Sequence, residues 1–297
     1  MKEITFSAPY IKRFETDEFK QSTEPRFIAV SLKGHKCNLL CDHCKTRMLT
    51  ALYKAENTDK FIGLCEKMHK KGCEGMLITG GCDPDGTIPL IGFVDTISEM
   101  KNKYGFKYAV HTKLANEEFV KAVRRANIDL LMIDLVGDLE AMHEVYHLKD
   151  YDLSHIEKSI IYAAKYEVPL APHIMIGINH GKVEGEYRAI EMLKDKPFDT
   201  LVLVVLTPLM KTPMEGTKID QDGVLRFLEH ARKVFPDRRI TLGCAKTWGK
   251  MQRAFEEKAL ELEYNAIAYP SEGIVTMAKE MGYNIKYTEE CCAFFCW

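Results

Sequence analysis

The most informative segment of this chain is Lys36-Cys37-Asn38-Leu39-Leu40-Cys41-Asp42-His43-Cys44-Lys45, which follows an apolar, strand-like stretch. Three cysteines so close together cannot all pair as disulfides. Their thiolates can bind three irons of a [4Fe-4S] cluster and leave the fourth iron open to a small molecule. The alternatives are chance clustering and a structural zinc site, which needs a fourth ligand nearby. His43 is the local candidate for that ligand, but it is wedged between Cys41 and Cys44, so we favour the cluster.

The composition of the chain indicates a soluble globular protein. It has 297 residues, of which 46% are hydrophobic and 28% charged, enough for one large domain or two ordinary ones. A net charge of −2 gives no electrostatic reason to expect a nucleic-acid partner. No apolar run approaches transmembrane length, and the first residues lack an apolar signal core, so we expect no membrane partner and a cytoplasmic location. Ten cysteines in such a compartment indicate metal binding rather than disulfides.

Apolar, β-rich runs alternate with amphipathic stretches along the chain. The predicted strands are Phe27–Leu32, Gly75–Thr79, Lys107–His111, Ile128–Leu135, Pro169–Ile178, Leu201–Leu206, Ile240–Gly243 and Ala266–Ala268. The predicted helices between them include Asp59–Lys71, Thr87–Lys103, Val183–Leu193, Gly223–Val234 and Lys250–Glu261. This order predicts an α/β fold, a (β/α)8 TIM-like barrel. We divide the chain into an N-terminal extension (residues 1–25), the barrel (26–283) and a Cys-rich C-terminal tail (284–297) that closes the barrel mouth.

Residues at the C-terminal ends of the strands are the candidates for chemistry, because such barrels place their active sites there. Gly80 and Gly81 follow the second strand, and paired glycines let the backbone approach a ligand closely. His111 ends the third strand and Gly177 follows the fifth. Asp134 lies late in the apolar fourth strand, where a carboxylate is costly unless it has a partner. That partner is either a salt bridge or cap within the protein, or a hydroxyl group of a ligand. We single out no catalytic residue.

Four further cysteines are candidate ligands of a second cluster. Cys82 and Cys244 end the second and seventh strands and are expected to open onto the barrel mouth. Cys291 and Cys292 are adjacent in a tail long enough to reach back across that mouth. We predict that these four thiols hold a second cluster facing the first, with Cys296 in reserve. The alternative is a reactive tail and two buried thiols.

These motifs together resemble the radical S-adenosylmethionine (SAM) superfamily, in its biotin-synthase-like branch. The resemblance rests on the Cys37–Cys44 loop and on Thr79–Asp83, His111-Thr112, residues 133–138, Pro172-His173-Ile174, Leu242-Gly243-Cys244 and Glu290-Cys291-Cys292. With Cys82, Cys244 and the tail pair, the chain resembles a subunit of the two-component lipoyl synthases first recognised in archaea. It departs from the general superfamily motif at Cys82, where an acidic residue usually follows the paired glycines. It departs from the lipoyl-synthase pattern at Lys113, where a glycine is usual, and at Ala245-Lys246, where an Arg-Pro-like pair is expected.

The resemblance implies cofactors, partners and an activity. The cofactors are a SAM-binding [4Fe-4S] cluster on Cys37, Cys41 and Cys44, SAM itself, and an auxiliary [4Fe-4S] cluster. The residues expected to bind the cofactor are His43, Gly80, Gly81, His111, Asp134 and Gly177. The activity is sulfur insertion into an octanoyl chain on a lipoyl carrier protein, together with a second radical SAM subunit and an electron donor such as ferredoxin or flavodoxin.

Three rival functions remain open on the sequence. The first is biotin-synthase-like sulfur insertion into another acceptor. The second is a radical SAM isomerase or lyase whose auxiliary cluster is structural or transfers electrons. The third is an iron–sulfur carrier or scaffold, which would not need the Gly80-Gly81 loop or a complete barrel.

Overall fold

A computed structural model describes residues 2–294, which form one continuous parallel sheet covered by helices. The strands are β1 (Glu3–Ser7), β2 (Phe27–Ser31), β3 (Tyr53–Lys54), β4 (Gly75–Thr79), β5 (Lys107–Thr112), β6 (Leu130–Asp134), β7 (Leu170–Ile176), β8 (Thr200–Val205), β9 (Arg239–Leu242), β10 (Ala266–Ala268) and β11 (Asn284–Thr288). Their order across the sheet is β11-β1-β10-β9-β8-β7-β6-β5-β4-β2-β3. The helices are α1 (Thr58–Lys70), α2 (Val94–Tyr104), α3 (Glu117–Arg125), α4 (Leu153–Lys165), α5 (Gly185–Leu193), α6 (Gln221–Val234), α7 (Gly249–Glu261) and α8 (Ile274–Glu280).

The predicted fold class is confirmed, and the eight predicted strands are β2 and β4 to β10. The sheet curls into a half-barrel whose edges are β3 and β11. Two further strands come from the ends of the chain: β1 pairs with β10 and β11, and β11 lies outside it. Helix α2 begins later than predicted, after a short turn at Ile91–Phe93, because Pro89 lacks the amide hydrogen that a helix interior requires.

The two faces of the sheet have different partners. Side chains alternate along a strand, so Ile28 and Val30 of β2 pack under the helices while Phe27 and Ala29 face the concave side. The tail segment Cys291–Phe294 packs against that concave, apolar face, and the ring centroids of Phe294 and Phe27 are 5.8 Å apart. The tail therefore occupies the inside of the half-barrel.

Helices in the described part of the chain carry no candidate membrane span, because none of them is both long and apolar enough for one.

Candidate functional site

The loop that follows β2 carries Cys37, Cys41 and Cys44. A tight turn, in which the backbone amides of Cys44 and Lys45 donate to the Cys41 carbonyl at 3.1 and 2.9 Å, brings Cys41 and Cys44 to the same side. A hydrogen bond between these two thiols raises the pKa of Cys41 and lowers the pKa of Cys44 well below its ordinary value. Thiolate character is what an iron cluster requires of its ligands.

The donor set of this loop fits an iron–sulfur cluster by its chemistry. Cys41 is buried, whereas Cys37 and Cys44 are half-buried and lie at the edge of the same core. Within residues 2–294, no three His, Cys, Asp or Glu side chains converge closely enough to hold a single metal ion. The loop thus presents soft thiol ligands, two of them already in contact, rather than a compact mononuclear site.

The Gly80-Gly81 pair at the end of β4 allows the triad loop to pack closely against it. A Cβ atom added at Gly81 would collide with the carbonyl of Lys36, and one at Gly80 would collide with the side chain of Ser31. Gly80 also has a positive φ of 131°, which disfavours any side chain. Close approach was predicted here, and in this structure the approaching group is the backbone that carries Cys37.

Asp134, at the end of β6, has partners on both carboxylate oxygens. Its Oδ1 lies 2.8 Å from His111 Nε2, and its Oδ2 lies 2.5 Å from Lys113 Nζ. Burial opposes the charged carboxylate, but the charges of Lys113 and His111 outweigh it and lower the pKa of Asp134. Burial likewise opposes the ammonium of Lys113, and the charge of Asp134 raises its pKa. The salt bridge, one of the two alternatives drawn from the sequence, is therefore present.

Tyr146 connects this ion pair to the triad loop. The Lys113 ammonium lies 5.0 Å from the centroid of the Tyr146 ring, and the ring of His43 lies 5.3 Å away on a tilted plane. The Cys41 thiol donates to the Tyr146 carbonyl at 3.6 Å. His43 is only 5% exposed, and its Nδ1 has no hydrogen-bond partner among the described residues. A buried nitrogen of this kind normally has a partner, which suits a ligand bound beside the triad.

The fifth predicted strand, β7, supplies His173 and Gly177 beside this network. The ring of His173 lies 5.0 Å from that of His111, and its Nδ1 is 2.9 Å from the carbonyl oxygen of Ala171. Burial and the neighbouring charge of His111 lower the pKa of His173 to about 3. Gly177 donates its backbone amide to Glu186 Oε1 at 2.7 Å. A crevice between the ends of β6 and β7 is lined by residues that include Leu135, Gly137, Tyr146, Met175 and Asn179.

A second group of thiols consists of Cys244, Cys291 and Cys292. Cys291 and Cys292 are buried in the cluster on the concave face of the sheet, and Cys244 packs against that cluster. Tyr269 belongs to the same buried cluster. The end of β9 and the tail therefore lie in one cluster on the concave face.

Cys82 occupies a different place from these three thiols. Its carbonyl accepts a hydrogen bond of 2.9 Å from the Asn38 amide, and its thiol interacts electrostatically with Cys37 and Cys41. Burial raises the pKa of Cys82 to about 12. The structure therefore places Cys82 beside the triad loop. Cys296 lies outside the described residues.

Sequence reasoning did not identify Lys113, Tyr146, Lys246 and Tyr269 as site residues. Lys113 and Lys246 differ from the residues that the family pattern has at these positions, and this difference was the available signal for them. Tyr146 follows a π-helical turn, Ala141–Val145, a feature common at functional sites but without a sequence signature. Tyr269 has a positive φ of 47°, which is unusual for an aromatic residue and is visible only in the structure.

Comparison with known proteins places this geometry in a family. The model of the Radical SAM superfamily matches residues 32–190. No curated protein matches the sequence. The fold is similar to that of methylornithine synthase (PylB), with a TM-score of 0.60 and 14% identity over 87% of this chain and 82% of that one.

Two further solved structures share the fold. The [FeFe]-hydrogenase maturase HydG from Carboxydothermus hydrogenoformans has a TM-score of 0.62 and 12% identity, over 95% of this chain and 67% of that one. Streptococcus suis SuiB has a TM-score of 0.58 and 13% identity, over 79% of this chain and 52% of that one. At such identities these structures establish the fold alone, whereas the superfamily match covers more than half of the sequence. This chain belongs to the radical SAM superfamily.

Proposed function

We propose that this chain is a radical SAM sulfur-insertion enzyme, one subunit of a lipoyl synthase that acts on a protein-bound octanoyl chain. The observation that carries this proposal is the second group of thiols, Cys244, Cys291 and Cys292, in the same half-barrel as the triad. SAM cleavage requires one cluster, whereas sulfur insertion also requires a sulfur atom held near the substrate carbon. A second set of thiols meets that requirement.

At the first site, Cys37, Cys41 and Cys44 would hold a [4Fe-4S] cluster, which supplies one-electron reductive cleavage of SAM when bound. The Nδ1 of His43 has no hydrogen-bond partner within residues 2–294, so it is available to a ligand on the triad side of Tyr146. Asp134 is kept ionised by Lys113 and His111, so it can still accept a hydrogen bond from a ribose hydroxyl. Gly80 and Gly81 hold the triad loop against β4, and Gly177 borders the opposite side at the end of β7.

At the second site, we assign the auxiliary [4Fe-4S] cluster to Cys244, Cys291 and Cys292. Their soft sulfur donors suit iron, and the burial of Cys291 and Cys292 suits a group that must be kept from water. Cys82, the fourth predicted ligand, lies beside the triad loop instead, so the assignment does not depend on it.

The concave face of the sheet favours an alkyl acceptor. This face carries an apolar patch that includes Leu77, Ala109, Met132, Ala171 and Val204. An octanoyl chain buries its methylene groups against such a surface at about 0.8 kcal/mol each. The partners in this proposal are an octanoylated lipoyl carrier protein, a second radical SAM subunit and an electron donor such as ferredoxin or flavodoxin. Oxygen-sensitive clusters also suit a reducing, cytoplasmic compartment.

Mass analysis of an octanoyl-lysyl peptide tests the proposal. The peptide is incubated with SAM and reductant, with and without the partner subunit, and the partner is supplied in both reaction orders. We expect this chain to add one sulfur, either to the octanoyl peptide or to the peptide already treated with the partner subunit. With both subunits present, we expect the peptide to gain two sulfurs. A triple Cys37, Cys41 and Cys44 to Ala variant is the control and should yield neither sulfur nor 5′-deoxyadenosine. Active SAM cleavage without any sulfur-bearing peptide would favour an isomerase, a lyase or a different acceptor.

A further inference from the structure

Tyr269 shares a buried cluster with the second group of thiols and has a strained backbone conformation. Its φ of 47° lies in the left-handed region, and hydrogen bonds of its amide, hydroxyl and carbonyl groups hold the residue in that conformation. Its amide donates to the Ser7 carbonyl at 2.7 Å, and its hydroxyl donates to the Pro9 carbonyl at 2.6 Å. Its carbonyl accepts from Lys246 Nζ and from Gln252 Nε2, each at 3.3 Å. The N-terminal segment that contains Ser7 and Pro9 therefore forms part of this site.

Two lysines reach the site, and they differ in how their charges are balanced. Lys246 is buried and forms an ion pair of 3.0 Å with the buried Glu256, so its charge is already compensated. Lys12 lies on the N-terminal segment, and its ammonium is 4.3 Å from the centroid of the Tyr269 ring. Among the described residues, no carboxylate lies within ion-pair distance of Lys12. Its charge is thus free to compensate an anion at the thiols.

The position of Lys12 is fixed by its own segment. Gln21 Nε2 donates to the carbonyls of Ala8, Pro9 and Lys12, at 2.8, 3.2 and 3.3 Å. Lys12 is exposed over much of its length, but its ammonium end is turned inward. Tyr269, whose ring lies beneath the ammonium, belongs to the same buried cluster as Cys291 and Cys292, and Cys244 packs against that cluster. The ammonium of Lys12 therefore lies at the edge of the second group of thiols.

We propose that Lys12 is a positioning residue that compensates the negative charge of the group bound by Cys244, Cys291 and Cys292. This inference rests on the proposed function, because it requires an anionic cluster on those thiols. A buried negative charge is costly without a nearby cation. Contact with an aromatic ring holds the ammonium group in one position, so that its charge acts from a fixed place. Outer partners of metal ligands commonly change metal affinity by about 10- to 100-fold.

The test uses full-length protein in which Cys37, Cys41 and Cys44 are all Ala, so that any iron reports on the second site. Lys12→Met, Lys12→Arg and Lys20→Met are compared in that background. Lys20 is a matched control on the same segment, exposed and paired with Glu15 at 2.8 Å. Iron content, the rate of iron loss to a chelator and the midpoint potential are measured after anaerobic reconstitution.

We expect Lys12→Met to lose iron about tenfold faster and to shift the midpoint potential to a more negative value, because the reduced cluster carries the greater negative charge. Lys12→Arg should keep most of the parent behaviour, and Lys20→Met should match the parent. Unchanged iron loss and potential in Lys12→Met would overturn the role of Lys12 and leave the second cluster intact. A parent protein that binds no iron would overturn both the second cluster and this inference.

Discussion

Lys113 Nζ lies 2.5 Å from Asp134 Oδ2, and both groups are largely buried at the ends of neighbouring strands. The pair accounts for two features of the sequence at once, the carboxylate in an apolar strand and the lysine where a glycine was expected. Each buried charge is tolerated because the other is present. His111 forms a hydrogen bond with the other oxygen of the carboxylate, Oδ1. The pair also lies between the triad loop and the ends of β6 and β7, which makes its integrity relevant to cofactor binding.

Asp134→Ala should lower the free energy of unfolding by about 3–5 kcal/mol, because it leaves the Lys113 ammonium buried and unpaired. The double variant Lys113→Met with Asp134→Leu should recover most of that loss. Glu3→Ala, which removes an exposed ion pair with Lys286, is the control and should leave the free energy of unfolding almost unchanged. Chemical denaturation measures all three. A loss below about 1 kcal/mol for Asp134→Ala would contradict a compensated buried pair.

His173 should make the protein less stable as the pH falls below about 6.5, the usual pKa of histidine in an unfolded chain. Burial holds its folded-state pKa at about 3, so between these values the unfolded chain binds a proton that the folded protein does not. The expected contribution is a loss of up to about 1.4 kcal/mol per pH unit. In His173→Gln this part of the slope should disappear, while above pH 7 the two pH profiles should run parallel. Equal slopes between pH 4 and 6 would show that His173 titrates normally.

Gly81→Ala should reduce iron binding at the triad, because the new Cβ displaces the backbone of Lys36 and with it Cys37. Gly63→Ala is the matched control: a Cβ at this position in α1 meets nothing within 4 Å. That control should bind iron normally and gain about 0.5–1 kcal/mol in stability. Iron per chain after reconstitution is the measurement, and normal iron content in Gly81→Ala would mean that the loop accommodates the side chain.

Cys244→Ser should separate the two sites. We expect iron to fall from about eight to about four per chain, given two four-iron clusters, while SAM cleavage continues. Sulfur transfer to the octanoyl-lysyl peptide should stop. Cys65→Ser is a suitable control, because Cys65 is buried in α1, away from either thiol group. Loss of SAM cleavage in Cys244→Ser would indicate that the two thiol groups do not act independently.

The sequence predicts the central strands well because strands buried on both faces are almost wholly apolar, as Leu201–Val205 of β8 illustrates. It does not predict β1 and β11, because their pairing depends on the two ends of the chain meeting. The partner of Asp134 was likewise hidden, because Lys113 reaches it from a neighbouring strand.

The position of Cys82 shows a second limit of sequence reasoning. A strand end fixes which rim of a barrel a residue occupies, but it does not fix the distance between residues around that rim. Cys82 follows β4 and Cys244 follows β9, and four strands separate them in the sheet. The tail reaches Cys244, while Cys82 packs beside the triad loop.

The most direct test of sulfur insertion traces the origin of the sulfur. The protein is reconstituted with heavy-isotope sulfide, freed of excess sulfide, and incubated with the octanoyl-lysyl peptide, SAM, reductant and the partner subunit. We predict that the peptide gains heavy sulfur, and that the label is lost from the product when Cys244 is replaced by Ser. The account would be contradicted if 5′-deoxyadenosine accumulated while the peptide gained no sulfur, or gained sulfur without the label.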